Sequence, residues 1–427
     1  MAQQGDPFML ELLLSDQDLF ENDTELSVDQ IARLGAQKLL KKALIEEVNQ
    51  YIQSHKDKRD EHGRAMVVGN GKAKKRTLLT GSGEIQIEAP RVNDRRPGEK
   101  FCSKILPPYM RKTPNVESVL PILYLKGLSA NAFSEALEEL LGEGIKGLSK
   151  SSIHTLKKSW ESDMDEWKKS PINDQFVYLW ADGVHVKIRL GEDKSISLLV
   201  VIGVNQNGEK KLLAVDSGYR ESEDSWRSVF LDLQKRGLNA PLCIVGDGAL
   251  GLWACTRKME FFKQAKEQRC WFHKMGNILN KLPKRLHSRA KSLLQDMMGA
   301  DKKSDAQICK KDFEKEFTDK HPKAVECLLK DWDKLTSFFD FPGAHWCHIK
   351  TTNPIESMFA TVKLRTRVTK GSGSRKMAET MAFKLMKEAE KKWRKRRKPE
   401  EVKKLLAGEL YKDGKIIESK HDQQAVA

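Results

Sequence analysis

Hydrophobic positions follow a helical repeat near the start of the chain and a strand-like alternation after it. Across residues 26–58 the apolar side chains lie close to helical spacing, which predicts a helix or a helix pair. The stretch "GNGKAKKRTLLTGSGEIQIEAPRVNDR" then alternates Ile85 and Ile87 with Glu84 and Glu88 between glycine-rich turns. That alternation predicts a small β-hairpin with a cationic surface.

The next part of the chain returns to a helical pattern and contains a helix-turn-helix-like arrangement. Ser129 can cap one helix, and "GEGIKG" can turn the chain. Ser149 or Ser151 can cap a second helix. That helix carries Lys150 and Lys157 on its polar side. An ordinary helical hairpin would give the same pattern, so both interpretations stay open here.

The middle of the chain is rich in strand patterns. Three segments, "QFVYLWADGVHVKIRL", "KSISLLVVIGVNQNG" and "EKKLLAVDSGYRES", are typical of strands separated by turns. An amphipathic helix pattern, "SEDSWRSVFLDLQKRG", and a buried strand pattern, "APLCIVGDGALGLW", follow. Residues 274–345 are then highly charged and helical in pattern, without a strand signal. The sequence therefore predicts an α/β core with an inserted helical domain.

Two aspartates follow apolar strand patterns. Asp182 lies where "FVYLWAD" runs out, and Asp247 has the corresponding place in "LCIVGDG". In open α/β sheets the carboxyl ends of strands converge on one crevice, so these side chains can meet there. Each aspartate alone would suit an ordinary turn. A third carboxylate beside them would require divalent cations to offset the repulsion, and such oxygen ligands suit Mg²⁺ or Mn²⁺.

Glu356 offers that third carboxylate from a predicted helix. Asn353 and Pro354 form a helix start signal. Lys363 and Arg367 then fall on the helical face of Glu356. An acid near the N-terminus and bases near the C-terminus would also satisfy the helix dipole, so this segment alone leaves both interpretations open. The apolar side of the helix is expected to comprise Ile355, Met358, Phe359 and Val362.

The charge balance points to a polyanionic partner. The chain has 427 residues, a formal net charge of +16 and a sequence pI near 9.3. Residues 1–30 contain acids and neither Lys nor Arg, so the basic character lies elsewhere. It is concentrated in "GKAKKR" at 71–76 and in "KKWRKRRK" at 391–398. A solvated tail is the alternative for such runs, and phosphate binding suits them as well.

The cysteines and the apolar runs indicate the compartment. Seven scattered cysteines without a C-x-x-C pair are typical of reduced thiols. The longest apolar runs are too short to span a bilayer, and the N-terminus lacks a signal peptide pattern. We therefore expect a cytoplasmic protein, associated with the nucleoid, that does not enter a membrane.

Several motifs taken together resemble the mutator-type transposases of bacterial insertion sequences. The resemblance runs through "LPILYLKGLS", "YLWADGVHVKIR", "IVGDGALGLW", "RCWFHKMGNILNKLP" and "TTNPIESMFATVKLRTRV". It implies a ribonuclease H-like core interrupted by an all-α insertion. It also implies an Asp-Asp-Glu triad formed by Asp182, Asp247 and Glu356. Further signature positions implied by the resemblance are Cys270, His273, Asn353 and Lys363.

The resemblance also implies a reaction and its partners. The triad would hold two Mg²⁺ or Mn²⁺ ions for phosphoryl transfer on double-stranded DNA, both terminal inverted repeats and target. A homodimer would bring two ends together. The alternatives are a catalytically inactive DNA-binding regulator and a structure-specific nuclease that does not join strands. The expected DNA contacts are Arg76, Arg91, Lys150 and Lys157 for the ends, and Lys363, Arg365, Arg367 and Lys370 for the strand being cut.

A zinc site at Cys270 and His273 is a further alternative. "HWCH" offers His345, Cys347 and His348 as additional ligands, although the separation fits known zinc spacings poorly. The favoured interpretation is that His273 forms a hydrogen bond near the active site and that Cys270 packs in its strand.

The predicted domain organisation follows these patterns along the chain. An acidic N-terminal segment and helical region precede a basic hairpin with a helix-turn-helix-like DNA-binding region. A two-part catalytic core with its helical insertion follows, and then a basic tail. In order, the predicted bounds are 1–68, 69–170, 171–273, 274–345, 346–390 and 391–427.

Overall fold

The computed structural model describes residues 27–126, 150–190, 194–218, 220–395 and 397–417. The chain divides into two compact units, and the change from the first to the second falls within residues 125–152. Across the described ranges, helices that combine the length and the apolar character needed to cross a membrane are absent.

The first unit combines one long helix with two small antiparallel sheets. The helical pattern of residues 26–58 corresponds to one helix, Val28–Ser54, which begins with a capping box between Ser27 and Gln30. The predicted hairpin is confirmed, since β2 pairs with β3 and buries Ile85 and Ile87 in a small core. The elements are α1 (Val28–Ser54), β1 (Val67–Lys72), β2 (Arg76–Thr80), β3 (Gly83–Ile87), β4 (Pro90–Asp94) and α2 (Pro114–Lys126).

Part of the helix-turn-helix prediction lies outside the described residues, namely Ser129, "GEGIKG" and Ser149. The second predicted helix is present as α3 (Lys150–Lys169). The strands and helices that follow it are β5 (Phe176–Lys187), β6 (Ser195–Asn205), β7 (Lys210–Gly218), α4 (Glu223–Lys235), β8 (Cys243–Gly246), α5 (Leu250–Lys258) and β9 (Lys266–Arg269).

The chain after β9 is helical, as the pattern of residues 274–345 predicts. The helices are α6 (Trp271–Leu279), α7 (His287–Gly299), α8 (Lys303–Phe317), α9 (Pro322–Leu329), α10 (Trp332–Leu335), α11 (Trp346–Ile349), α12 (Asn353–Val368), α13 (Arg375–Glu390) and α14 (Glu400–Leu406). A short hairpin of β10 (Tyr411–Lys412) and β11 (Lys415–Ile416) ends the described chain. The predicted basic tail therefore carries regular structure, with Val402 and Tyr411 buried.

Five strands of the second unit form one mixed sheet in the order β7-β6-β5-β8-β9. The pairs β7-β6 and β6-β5 are antiparallel, whereas β8 is parallel to β5 and β9 is parallel to β8. The predicted α/β architecture is confirmed at this level. The predicted strands and helix of residues 175–250 correspond to β5, β6, β7, α4 and β8.

Side chains of β5 alternate between the two faces of this sheet. Leu179 and Ala181 pack in the core with Trp226 and Phe230 of α4. Tyr178 and Trp180 face the other way, and Trp180 Nε1 donates a hydrogen bond to the carbonyl of residue 351, just before α12. Asp182 continues this second set, so it points to the face that the helix of Glu356 covers.

Candidate active site

Asp182 and Asp247 lie beside each other on neighbouring parallel strands. The last residues paired between β5 and β8 are Ala181 and Gly246, and each aspartate comes next along its strand. The expectation that β5 ends at Asp182 is wrong, because β5 continues to Lys187 through its pairing with β6. Only the parallel pairing stops there. The two carboxylates therefore lie next to each other at the end of the paired region of β5 and β8.

Local hydrogen bonds orient both carboxylates. Asp182 Oδ1 accepts a hydrogen bond from the amide of Gly183 at 2.8 Å, and Asp247 Oδ1 accepts one from the amide of Ala249 at 2.8 Å. Asp182 is only 6% exposed. The pKa of Asp182 is raised to about 8, mainly by burial and also by the charge of the nearby Asp247, against the opposing effects of Gly183 and His273. A cation at this position would offset the cost of burying the ionised carboxylate of Asp182.

Glu356 lies in the first turn of α12 and is held by the residue before that helix. The residue at the N-cap is Thr352, so the prediction that Asn353 caps the helix is wrong. Asn353 is exposed in the first turn. The Thr352 hydroxyl does not accept a cap hydrogen bond from the helix backbone, and it donates to Glu356 Oε1 at 2.6 Å. The apolar side predicted for α12 is confirmed, since Ile355, Met358, Phe359 and Val362 are buried.

Cys270, His273 and Glu356 form a compact group. Their ligand atoms lie within 4.8 Å of one another, and the distance between His273 Nδ1 and Glu356 Oε1 is 3.7 Å. The Thr352 hydroxyl lies 3.4 Å from Cys270 Sγ and 3.3 Å from His273 Nδ1. The prediction that His273 forms a hydrogen bond near the carboxylates agrees with this geometry.

The proton equilibria of this group are linked. A hydrogen bond with Cys270 is the main reason that the pKa of His273 rises to about 9, and the charges of Cys270, Glu356 and Asp247 also raise it. Burial would raise the pKa of Cys270, but hydrogen bonds with His273 and Thr352 lower it. Both shifts favour a proton on the imidazole, which places a positive charge between Glu356 and the two aspartates.

The structure brings the three carboxylates to one region without closing them into one cluster. Within the described residues, the group of His, Cys, Asp or Glu ligand atoms that lie within 4.8 Å of one another contains Glu356 but neither aspartate. His273 links the aspartates to Glu356. Its charge lowers the pKa of Asp182, and its Nδ1 lies 3.7 Å from Glu356 Oε1. A common metal site would require Glu356 to turn from Thr352 toward the aspartates.

The alternative zinc ligands lie elsewhere. His345 is buried, with Nδ1 2.8 Å from the Tyr178 hydroxyl, and Cys347 Sγ lies 3.9 Å from the carbonyl of Ala344. Neither belongs to the group around Cys270. The placement of Cys270 in a strand is also wrong, because β9 ends at Arg269 and Cys270 is the residue that precedes α6.

Glu221 is an acidic residue of this region that the sequence patterns did not identify. It lies between β7 and α4 and lines an open cleft of about 1030 Å³ together with Asp247 and His273. Burial raises the pKa of Glu221, and the charge of Asp247 raises it further. A Cβ atom on residue 183 would lie 2.2 Å from Glu221 Oε1, so Gly183 gives this carboxylate room. Its position just before a predicted helix is the sequence feature that could have identified Glu221.

The basic residues predicted to follow Glu356 divide between two faces of α12. Lys363 and Arg367 are exposed, and so is Lys370 just beyond the helix. Arg365 is only 6% exposed and lies on the buried side. Because its side chain lies on the side of α12 that packs in the core and is not among those that line the cleft of Asp247, we leave Arg365 out of the proposed contact.

The basic residues predicted to bind the DNA ends also differ in their surroundings. Arg76 is half-buried and donates from Nη2 to the carbonyls of Leu106 and Pro107. Arg91 is exposed on β4, and Lys157 is partly exposed on α3. The side chain of Lys150 lies outside the described part of the structure. Arg91 is thus the exposed arginine of this predicted set.

Sequence comparison identifies the family of the chain. Residues 10–396 match the family model described as "Transposase, Mutator family". The transposase of insertion sequence element IS6120 of Mycolicibacterium smegmatis is 45% identical over 308 residues, which cover 72% of this chain and 94% of that protein. The transposase of element IST2 of Acidithiobacillus ferrooxidans is 43% identical over 281 residues, 66% of this chain and 94% of that protein.

A more distant relative shows the same relationship. The transposase of element IS256 in transposon Tn4001 of Staphylococcus aureus is 25% identical over 328 residues, which cover 75% of this chain and 80% of that protein. The family model spans most of the chain, including both aspartates, the Cys270 and His273 pair and Glu356. This chain belongs to the mutator family of transposases.

Proposed function

We propose that this transposase binds the terminal inverted repeats of its insertion sequence and catalyses DNA cleavage and strand transfer. The proposed catalytic residues are Asp182, Asp247 and Glu356. The main support is the placement of two aspartates on neighbouring parallel strands, on the sheet face that the helix of Glu356 covers. Such a convergence of carboxylates is typical of sites for phosphoryl transfer.

The proposed core is ribonuclease H-like and carries a helical insertion. Three antiparallel strands followed by two parallel ones, in the order β7-β6-β5-β8-β9, support this assignment. The helices between Asp247 and Glu356 would form the insertion, with proposed bounds 274–345. The proposed core segments are then 171–273 and 346–390, and the region 69–170 would bind the element ends.

The donor set of the aspartate pair fits divalent cations. Carboxylate oxygens are the ligands that Mg²⁺ and Mn²⁺ prefer. The raised pKa of Asp182, caused by burial and by Asp247, indicates negative charge that a cation would offset. Asp182 and Asp247 would hold such ions, and Glu356 would complete the site after turning from Thr352. Glu221 lies in the same cleft as Asp247 and could add a fourth carboxylate.

Two bound cations would activate the attacking oxygen and stabilise the departing one. In cleavage, a water oxygen bonds to phosphorus and its proton passes to solvent, while the bond from phosphorus to the DNA 3′-oxygen breaks and that oxygen takes up a proton to become a 3′-hydroxyl. In joining, the freed 3′-hydroxyl loses its proton and bonds to a target phosphorus, whose own 3′-oxygen leaves and takes up a proton. The carboxylates position these groups, and a covalent intermediate with the protein is not required.

The exposed bases of α12 would hold the strand that is cut. Lys363 and Arg367 lie beyond Glu356 on the same helix and are exposed, and Lys370 follows the helix. Lys and Arg contacts to phosphates fix the position of a duplex without reading its sequence. Because two ends must be joined in one reaction, we propose that two copies of the chain act together, in the cytoplasm on chromosomal DNA.

The direct test is incubation of the purified protein with labelled duplex DNA that carries the ends of its own element. We expect nicks at the end boundary and joined products with Mg²⁺, and binding alone without it. Nicks without joined products would favour the nuclease alternative. Sequence-specific binding without nicks, in Mg²⁺ and in Mn²⁺, would favour the regulator.

A further inference from the structure

Arg269 is a buried cation on the wall of the cleft that contains Asp247. It is the last residue of β9, the edge strand that pairs in parallel with β8. In that pairing Arg269 lies opposite Gly246, one residue before Asp247. Its side chain is 7% exposed, yet it lines the cleft together with Asp247 and Glu221.

The guanidinium of Arg269 has buried donors without acceptors. Nε and Nη1 are both buried and lack a hydrogen-bond partner within the described residues. Arg269 forms an ion pair with Asp331, but Asp331 Oδ2 lies 3.7 Å from Nε, too far for a hydrogen bond. Asp331 instead accepts a hydrogen bond from Lys274. Buried donors of a charged group are normally paired, so this arrangement calls for an explanation.

The loop after β8 is shaped around this guanidinium. Gly248 has a φ of +101°, and a Cβ atom there would lie 1.6 Å from Arg269 Nη1 and 1.8 Å from its Cζ. Residue 248 must therefore be glycine for Arg269 to keep its place. The close approach puts the guanidinium against the residue that follows Asp247.

We propose that Arg269 binds a phosphodiester of the DNA strand that lies beside Asp247. This inference rests on the proposed function of the cleft. A guanidinium presents several N–H donors in a planar fork that matches two phosphate oxygens, and it does not lose its charge. The nearby carboxylates would repel the phosphate, and a fixed cation at this point offsets that repulsion. Arg269 is thus a phosphate-binding residue, separate from the carboxylates that would hold metal ions.

The test is a coupling experiment between the arginine and individual phosphates. Wild type, Arg269→Ala and Arg269→Lys bind end duplexes in Ca²⁺, each duplex carrying one neutral methylphosphonate at a defined position near the cleavage site. We expect Arg269→Ala to weaken binding of the unmodified duplex about tenfold and to slow its cleavage in Mg²⁺ about 100-fold. A methylphosphonate at the phosphate that Arg269 contacts should weaken DNA binding by wild type. On that modified duplex, Arg269→Ala and wild type should bind with equal affinity.

The lysine variant and a control keep the test decisive. Lysine retains the positive charge but lacks the planar set of N–H donors, so we expect the methylphosphonate at the same phosphate to affect Arg269→Lys less than wild type. The comparison of wild type with Arg269→Lys still tests the contact if Arg269→Ala does not fold. Arg257→Ala is the matched control, because Arg257 lies on α5, is 55% exposed and pairs with Glu267 outside the cleft. It should behave as wild type on every duplex.

Two outcomes would overturn the proposal. One is an Arg269 effect of equal size at every methylphosphonate position, which would mean that the residue acts through folding or overall charge. The other is binding and cleavage by Arg269→Ala at wild-type levels. A wild-type protein that binds but does not cleave would refute the proposed function instead, while the binding arm would still decide the role of Arg269.

Discussion

Thr352 donates a hydrogen bond to Glu356, with 2.6 Å between the hydroxyl oxygen and Oε1. The same hydroxyl lies within 3.4 Å of Cys270 Sγ and His273 Nδ1, so it fixes the carboxylate beside these two residues. In the structure Glu356 is bound to Thr352, and its participation in the predicted triad would require it to turn toward the aspartates.

Removal of the Thr352 hydroxyl should destabilise the protein through Glu356. A hydrogen bond to a carboxylate contributes about 1.5–3 kcal/mol, and the side chain of Glu356 is 31% exposed, so Thr352→Val should lower the free energy of unfolding by up to about the lower of these values. In a Glu356→Ala background the loss should be smaller, because the acceptor is gone. Denaturant unfolding of the single and double variants measures this coupling.

Thr366→Val provides the control for this comparison, because the Thr366 hydroxyl bonds only to a main-chain carbonyl of α12. Its effect should not depend on Glu356. Equal losses for Thr352→Val with and without Glu356 would show that the hydroxyl stabilises the fold by another route.

The pH dependence of stability should report on Asp182. Burial holds the pKa of Asp182 at about 8, above its ordinary value of 3.8, so the folded state keeps a proton that the unfolded state releases. The resulting stability is complete below about pH 4 and is lost as the pH rises to about 8. Without divalent cations, the melting temperature of wild type should therefore fall more than that of Asp182→Asn between about pH 5.5 and about pH 8.5. Parallel curves for the two proteins would contradict this.

The exposed bases of α12 should act on DNA affinity. Lys363→Ala and Arg367→Ala should each reduce the salt slope of DNA binding by about one unit, because each removes one phosphate contact. The helix-dipole interpretation instead expects a stability loss of about 0.3–1 kcal/mol with an unchanged slope. Binding against salt concentration, measured beside melting temperatures, separates the two. Lys263→Ala is the control, since Lys263 is exposed and pairs with Glu260.

Two arginines of the first unit should respond differently to substitution. Arg91 is exposed on β4, so Arg91→Ala should weaken binding of the element ends and lower the salt slope by about one unit. Arg76 donates to two main-chain carbonyls, so Arg76→Ala should lower the melting temperature. A lower affinity for Arg76→Ala at unchanged stability would assign it to the DNA contact.

Much of the fold follows from local patterns. The strands of residues 175–250 are recognisable because continuous apolar runs such as "SLLVVIGV" suit strands that are buried on both faces. The buried side of α12 follows from the helical spacing of its apolar residues. Strand β9, "KEQR", gives no such signal, because it is short and polar and owes its place to pairing with β8.

The site residues that the sequence did not identify depend on contacts between distant segments. Asp182 and Asp247 could be found because each follows an apolar run in the sequence. Thr352 carries an ordinary helix-start side chain, and its contacts with Cys270 arise only in the fold. Glu221, just before α4, and Arg269, at the end of β9, likewise come together on the cleft wall. Arg365 was misplaced because spacing alone did not show which bases of α12 face the core.

We propose that Asp182, Asp247 and Glu356 serve the chemical step. Metal ligands act on bond breaking, whereas basic surfaces provide affinity for the DNA backbone. The side chains can be replaced with little change of shape, as in Asp182→Asn, Asp247→Asn and Glu356→Gln. Each variant would be compared with wild type for binding of end DNA in Ca²⁺ and for folding by its melting temperature.

The most direct measurement is single-turnover cleavage of labelled end DNA in Mg²⁺ by wild type and these three variants. We expect cleavage and joining to be lost in all three, while binding of the ends stays within about threefold of wild type. Cleavage within about tenfold of wild type by any one of them would contradict the assignment of that residue to the triad.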